Sequence, residues 1–245
     1  GVTVSTKVGR RVRELDIRPA DDIFFGAPPG ESVFDFSPEG IIDELDESRI
    51  RLGRDHIDVA LLHDPDDHLD EALAAAEVLI RQRDSGRVGA IGVGTNSASV
   101  AQHLMDRIDI DVVLLAGRIT LLESSGESVA QHCADSGVAL LAAGVFQSGI
   151  LTGATDTYDY LPAPPHIRER VAQLQEACQG HRVTLHQAAI NHPRRIAGVS
   201  TTVVGARSPA EVNAAADAFT SVLPDALWAE IDELRSTFTD PTEES

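Results

Sequence analysis

Six short, almost continuous apolar runs constrain the fold of this chain more than any other feature. They are VTVSTKV (2–8), IDVALLH (57–63), GAIGVG (89–94), DVVLLA (111–116), VALLAAGV (138–145) and STTVVG (200–205). A strand with one face in water alternates apolar and polar residues. Runs that are apolar at nearly every position belong to parallel strands covered on both faces. Between them, amphipathic periodicity predicts helices over about 38–53, 69–86, 98–107, 126–136, 164–179 and 208–220. A last helix follows in PDALWAEIDELRS, with Pro224 near its start and Leu227, Ile231 and Leu234 on one face. Repeated β-then-α order implies a parallel sheet with right-handed crossovers, either doubly wound or closed into a (β/α) barrel.

The position of the polar residues separates the two. Lys7, His63 and the GTN of 94–96 all fall at carboxyl ends of strands, where both architectures place chemistry. A dinucleotide fingerprint needs G-x-G-x-x-G after a strand, whereas GVGTNS ends in Ser97 and keeps its glycines inside the strand. That favours an α/β fold of the (β/α)8 TIM-barrel class, with about six β/α units present where eight close a barrel. Residues 1–245 are then expected to form a single, incomplete barrel domain. The first run has no cap or turn before it, and the only methionine is Met105. The expectation is that two further β/α units, roughly 70 to 90 residues, precede the first strand in a whole barrel. Two segments, 10–36 with GAPPGES and about 150–164 with both tyrosines, read as long loops, as lids and substrate walls often do.

Composition excludes several classes of function. A formal net charge of −19 argues against nucleic acid or an anionic membrane surface as partner. With only two tyrosines and one tryptophan, stacking on bases is not expected either. No apolar run reaches the ~20 residues that a membrane span requires. Cys133 and Cys178 are isolated, which suggests neither a disulfide framework nor a zinc site and fits a reducing cytoplasm.

His63 ends an apolar strand and is followed by Asp64, Pro65, Asp66 and Asp67. A strand-end histidine by itself is more often structural than catalytic, and the acidic run with His68 reads as a solvated loop rather than a metal site. Lys7 is less ordinary, because a lysine in an apolar strand end is costly unless it is paired or faces a polar cavity. Two titratable groups at neighbouring strand ends raise the catalytic reading of both. In VVGARSPAEV, Ser208 reads as an N-cap, Pro209 as the first helical residue and Glu211 as the partner in a capping box. Such a helix start can receive an anion.

The ordered set STKVG, SRIRLGRDHIDVALLHDPDD, GAIGVGTN, DVVLLAGRITLL, AAGVFQSGIL and VVGARSPAEV resembles the aldo-keto reductase superfamily over nearly the whole chain. The likeness is greatest to the branch of D-threo-aldose (L-fucose) 1-dehydrogenases and pyridoxal dehydrogenase. The resemblance implies an NAD(P)-dependent oxidoreductase that moves a hydride between the nicotinamide and the carbonyl or hemiacetal carbon of an aldose or other aldehyde. A tyrosine acts there as general acid or base, the lysine at Lys7 lowers its pKa, and the histidine at His63 orients the substrate oxygen. Asn96 would hold the nicotinamide carboxamide, and the segment with Gly144, Val145, Phe146 and Gly149 would border the cofactor. Gly205, Ala206, Arg207, Ser208 and Glu211 would meet its adenosine-phosphate end. No metal is implied.

Departures from the family pattern carry their own expectations. Ile119 stands for the usual aromatic of AGRYTLL, and His192, Arg194 and Arg195 stand where relatives are mostly apolar. Ala214 and Ala215 stand for a frequent Glu-Asn pair. The family's catalytic aspartate and tyrosine belong to units before the lysine strand, and Tyr158 and Tyr160 match neither position. These 245 residues by themselves are therefore expected to be inactive. Glu211, with Arg207 as the only nearby cation, favours NAD over NADP, since a carboxylate repels a 2′-phosphate. Two alternatives stay open on the residues alone. One is a non-catalytic cofactor-binding or regulatory relative; the other is an unrelated phosphate-binding barrel enzyme with Lys7 as a Schiff-base lysine.

Overall fold

The computed structural model describes residues 1–14 and 29–238. The chain divides into two compact units, Gly1–Leu114 and Leu115–Ser245, and each is taken by itself.

The first unit contains β1 (Ser5–Val8), β2 (Arg10–Glu14), β3 (Gly30–Phe34), α1 (Pro38–Leu52), β4 (Ile57–His63), α2 (Leu69–Asp84), β5 (Val88–Thr95) and α3 (Ala98–Met105). It also holds the start of β6 (Val112–Ala116), the strand in which the division falls. The sheet order is β1-β4-β5-β6, so strands that follow one another through a helix lie side by side. β1 runs parallel to β4 with Lys7 opposite Leu61, and β4 runs parallel to β5 with Leu61 opposite Gly92 and His63 opposite Gly94. Opposed residues of a parallel pair share a face, and so do residues two apart on a strand. Lys7, Leu61, His63, Gly92 and Gly94 therefore lie on one face of the sheet.

The helices of this unit start and stop where the chain chemistry says they should. Ser37 caps α1 by accepting the Gly40 N–H at 3.0 Å, and Gly53 ends it in the left-handed region at φ 62°. Ser97 caps α3 through the Val100 N–H. Ile41 and Leu45 of α1 and Ala72, Ala75, Ala76 and Leu79 of α2 are buried with Ala60, Leu62, Ile91 and Val93 of the strands. The small alanines of α2 let that helix approach the sheet closely. One glycine is dictated by a close approach: a Cβ at Gly92 would lie 1.7 Å from the Val112 carbonyl oxygen.

The second unit contains the end of β6, then α4 (Glu127–Ser136), β7 (Ala139–Ala143), α5 (Pro165–Gly180), α6 (Leu185–Asn191), β10 (Val199–Thr202), α7 (Pro209–Thr220) and α8 (Asp225–Ser236). Two-residue strands β8 (Thr157–Tyr158) and β9 (Leu161–Pro162) pair antiparallel. Its sheet order is β6-β7-β10, and β7 and β10 run parallel. A core of Leu121, Ile150, Leu151, Ile167, Leu174, Cys178, Leu185, Leu227 and Ile231 joins α5, α6 and α8.

All six predicted strands and all seven predicted helices are present, with ends displaced by a few residues. The first strand starts at Ser5 rather than at Val2, whose side chain is 82% exposed. The expected loop over 10–36 is corrected at both ends: residues 10–14 and 30–34 are the antiparallel arms β2 and β3. The middle of that segment, with the first part of GAPPGES, lies outside the described residues. The expected loop over 150–164 holds a short 3₁₀ turn (Ile150–Thr152) and the β8–β9 pair. α6 was not foreseen. Its seven residues are too few for a helical period to register, although Thr184 and Gln187 form a reciprocal capping box.

Candidate active site

At the carboxyl end of β1 the chain must leave the sheet at once. Gly9 does this at φ 92°, and a Cβ there would lie 2.3 Å from the Phe36 ring. Its N–H donates to the Glu44 carboxylate of α1 at 3.0 Å, and Arg11 lies 3.4 Å from the other oxygen of that carboxylate. Burial raises the pKa of Glu44, and these two donors offset part of that cost. The effect is to fix the last residues of β1, and with them Lys7.

Lys7 is the only lysine in the sequence. Its side chain crosses the position where Gly94 has none: a Cβ at Gly94 would sit 3.3 Å from Lys7 Cε and 3.7 Å from Nζ. The glycine of GTN thus clears the path of the lysine arm. Burial pulls the Lys7 pKa below the ordinary lysine value, the Asp64 carboxylate pushes it back up, and Arg10 lowers it again. His63, at the end of the neighbouring strand, has its pKa depressed to about 4. Burial is the first cause, followed by the Lys7 charge; Asp64 acts in the opposite sense, and Arg10 lowers it further. At neutral pH the imidazole is therefore neutral. Lys7 and His63 end neighbouring strands on one face of the sheet.

Asp64 joins these groups. It adopts φ 47°, unusual for a residue with a side chain, and its N–H donates to the Gly94 carbonyl at 2.8 Å. Its Oδ2 lies 3.5 Å from His63 Nε2 and accepts from Arg10 Nη1 at 2.5 Å. The Arg10 guanidinium also lies 5.3 Å from the centroid of Phe34, whose ring packs on His68 at 4.9 Å. Two residues on, Asp66 accepts from the Thr95 hydroxyl at 3.1 Å. Burial raises the Asp66 pKa, and Thr95 partly reverses that. Asn96 follows directly and is exposed. Among the described residues no group of three or more His, Cys, Asp or Glu could hold a metal.

The other predicted positions lie in the second unit. Gly144 (φ 63°), Gln147, Ser148 and Gly149 all take positive φ, so the chain after β7 is a tight turn. Val145 is buried in it, and Phe146 stacks on His186 at 4.8 Å between centroids. The buried Gln147 amide donates to the Gly117 carbonyl at 3.2 Å. Gly205, Ala206 and Arg207 are exposed before α7. Ser208 caps α7 by accepting the Glu211 N–H at 3.2 Å. The capping box is corrected on its other side: the Glu211 carboxylate accepts from the Arg207 N–H at 2.7 Å and pairs with the Arg207 guanidinium at 3.2 Å. It turns one residue further back because the arginine offers a charge that the serine N–H does not. Beside this helix start lie the open space at Gly205 and the exposed Arg207. Tyr158 is half-buried, and burial together with Glu123 raises its pKa, whereas Tyr160 is 74% exposed. A phenol held protonated in this way is the opposite of one activated by a cation.

Sequence reasoning placed Lys7, His63 and the strand-end glycines together and missed Arg10 and Asp64. Asp64 was visible as part of an acidic run. No local signal joins it to Arg10, 54 residues earlier.

Comparison with known proteins bears on the family and the fold. The model of the aldo/keto reductase family matches residues 1–236, which spans both units. Among curated proteins the chain is 36% identical over 244 residues to a D-threo-aldose 1-dehydrogenase from Pseudomonas sp., covering 95% of this chain and 74% of that protein. It is 32% identical over 250 residues to a pyridoxal 4-dehydrogenase from Microbacterium luteolum, covering 92% and 73%. Among solved structures, a glycerol dehydrogenase from Gluconobacter oxydans matches with a TM-score of 0.75 at 21% identity, over 98% of this chain and 75% of that one. That likeness concerns the fold, a partial (β/α)8 barrel. With its lysine and histidine strands, its order of β/α units and a family match over nearly its whole length, this chain belongs to the aldo/keto reductase family of NAD(P)-dependent oxidoreductases.

Proposed function

We propose that this protein transfers a hydride between a nicotinamide cofactor and a small aldehyde, or the C1 carbon of an aldose, with Lys7 and His63 facing the substrate oxygen. The observation that carries the reading is the placement of that pair: Lys7 and His63 are half-buried on one face at the ends of neighbouring parallel strands. Burial and the Lys7 charge pull the His63 pKa to about 4. A carbonyl oxygen that gains negative charge in reduction is stabilised by donors already fixed in place. His63, neutral throughout the physiological range, donates a hydrogen bond and holds the oxygen in line. Lys7 supplies the positive charge that makes an adjacent phenol a competent proton donor, or base in the oxidative direction. The relatives' names, an aldose 1-dehydrogenase and a pyridoxal 4-dehydrogenase, support an aldehyde-level carbon as the reacting centre.

On the same reading Asn96 would hold the nicotinamide carboxamide, Gly144, Val145, Phe146 and Gly149 would border the cofactor, and Gly205 to Ser208 would receive its phosphate end. When bound, the nicotinamide supplies or accepts the hydride. The Glu211 carboxylate, tied to Arg207, supports NAD over NADP. The net charge of −19 supports a small-molecule partner rather than nucleic acid. Among the described residues no helix is long and apolar enough to cross a membrane. The two cysteines, both buried and 45 positions apart, support a reducing compartment such as the cytoplasm.

The test is a cofactor titration paired with turnover of aldoses and pyridoxal on the natural protein and on Lys7→Met and His63→Gln. Both variants should bind cofactor normally and lose about 10²- to 10⁴-fold in kcat, the usual contribution of acid–base groups. Full turnover in Lys7→Met would sink the proposal, and tighter binding of NADP than NAD would overturn the cofactor assignment. The 245 residues expressed by themselves are proposed to give no turnover at enzymatic rates. Burial and Glu123 raise the Tyr158 pKa, the opposite of activation, and Tyr160 is 74% exposed.

A further inference from the structure

We propose that Asp64 is a positioning residue for this site: its carboxylate binds Arg10, faces Lys7 and His63, and so ties the β2–β3 hairpin to the strand ends while balancing the charge around the lysine. The proposal rests on the reading of Lys7 and His63 as the reacting pair. Three geometric facts carry it. The carboxylate is 2.5 Å from Arg10 Nη1 and 3.5 Å from His63 Nε2. Its backbone is held in the left-handed region at φ 47°, anchored by the N–H to Gly94 at 2.8 Å. Arg10 is the first residue of β2, so the contact fastens one arm of the hairpin. Aspartate and asparagine are the side-chain-bearing residues that enter this region most readily, and an asparagine could hold this turn without a charge.

The groups around the lysine act with different signs. Asp64 raises the Lys7 pKa and Arg10 lowers it, while His63 feels Lys7, Asp64 and Arg10. Asp66 faces Asp64 from the same loop, with Thr95 donating to it. The carboxylate offsets part of the cost of burying the lysine charge, and Arg10 is held against Asp64 rather than free to compete for the substrate oxygen. The aromatic contacts of Phe34 with Arg10 and His68 then set the hairpin as a wall beside the pair.

Because Lys7 is the only lysine among these 245 residues, its titration can be read directly. Reductive methylation with ¹³C-formaldehyde gives resonances for Lys7 and the α-amine alone, and each is followed against pH by NMR. In Asp64→Asn the Lys7 midpoint should move down, because a counter-charge is lost. In Arg10→Gln it should move up, because a competing cation is lost. Asp64→Glu, which keeps the charge, should stay near the parent. A merely structural role for Asp64 would loosen the site equally in both neutralising variants and move the midpoint the same way in each. The same direction in both, or no movement in Asp64→Asn, overturns the proposal. If Asp64→Asn does not fold, Arg10→Gln and Asp64→Glu decide. In the natural protein Asp64→Asn should also lose about tenfold in kcat/KM at neutral pH, the value of one charge-assisted hydrogen bond. Opposite shifts with no turnover in any form would refute the functional reading and leave the positioning role intact.

Discussion

Two glycines on one face of β5, two residues apart, should respond to the same substitution in opposite ways. At Gly92 an added methyl would sit 1.7 Å from the Val112 carbonyl oxygen and 3.1 Å from Leu61 Cδ2. The obstacle is backbone, which cannot rotate aside, so β6 would have to retreat from β5 by more than an ångström. The junction there is held by the Ile91 N–H donating to the Asp111 carboxylate and the Asp111 N–H donating to the Ile91 carbonyl, each at 2.9 Å. Losing both at about 1 kcal/mol each, with 1–3 kcal/mol of overpacking, gives about 3–5 kcal/mol for Gly92→Ala. At Gly94 the nearest atom is Lys7 Cε at 3.3 Å, the far end of a flexible side chain, and less than about 1 kcal/mol is expected. Urea unfolding of the chain, followed by far-ultraviolet circular dichroism, measures both. The cost of Gly94→Ala should appear instead at Lys7, whose NMR titration should shift because its arm is pushed from its track. If Gly92→Ala were within 1 kcal/mol of the parent, or Gly94→Ala as destabilised as Gly92→Ala, this account of the strand-end glycines would be wrong.

Three further outcomes follow from the buried titratable groups. His63 is neutral in the folded chain down to about pH 4 but accepts a proton near pH 6.5 when unfolded. Between those values the unfolded state binds more protons, so stability falls as pH drops, and His63→Gln should flatten the slope of unfolding free energy against pH. His192 is wholly buried, neither ring nitrogen has a hydrogen-bond partner among the described residues, and its pKa is pulled to about 3 by burial and by Arg235 and Arg195. Its NMR signals should show no titration between pH 8 and pH 5, and a midpoint near 6.5 would contradict the packing. Cys133 and Cys178 are buried with thiol pKa values pushed up to about 11; a disulfide reagent should find them unreactive in the native chain at pH 8 and both reactive in urea.

What the sequence shows of this fold is what local periodicity can carry. Parallel strands covered on both faces leave continuous apolar runs, and helices leave a spacing near 3.6, so β1, β4–β7, β10 and seven helices were legible. The β2–β3 pair was not. Its arms, RRVRE and GESVF, are charged and short, and their pairing spans a segment rich in Asp, Pro and Gly. α6 was hidden by its length. The second half of the capping box at Ser208 was misread because spacing identifies a carboxylate within reach of two donors, and the stronger one, Arg207, wins.

The site divides along the same line. Lys7 and His63 were legible because each violates its surroundings: a charge and an imidazole at the ends of apolar strands attract notice wherever they occur. Asp64 obeys its surroundings, an aspartate among aspartates in a loop, and only the fold shows that it differs from Asp67. Strand pairing sets β1 against β4, the turn at Gly9 brings Arg10 back, and a left-handed φ turns the Asp64 carboxylate toward both. Gly94 belongs to both classes, since its place in GTN suggested a cofactor loop while its missing side chain serves the lysine two strands away. A substitution that leaves Lys7 and His63 untouched can thus still decide what the lysine does, through a charge 54 residues from its partner or a methyl two strands away.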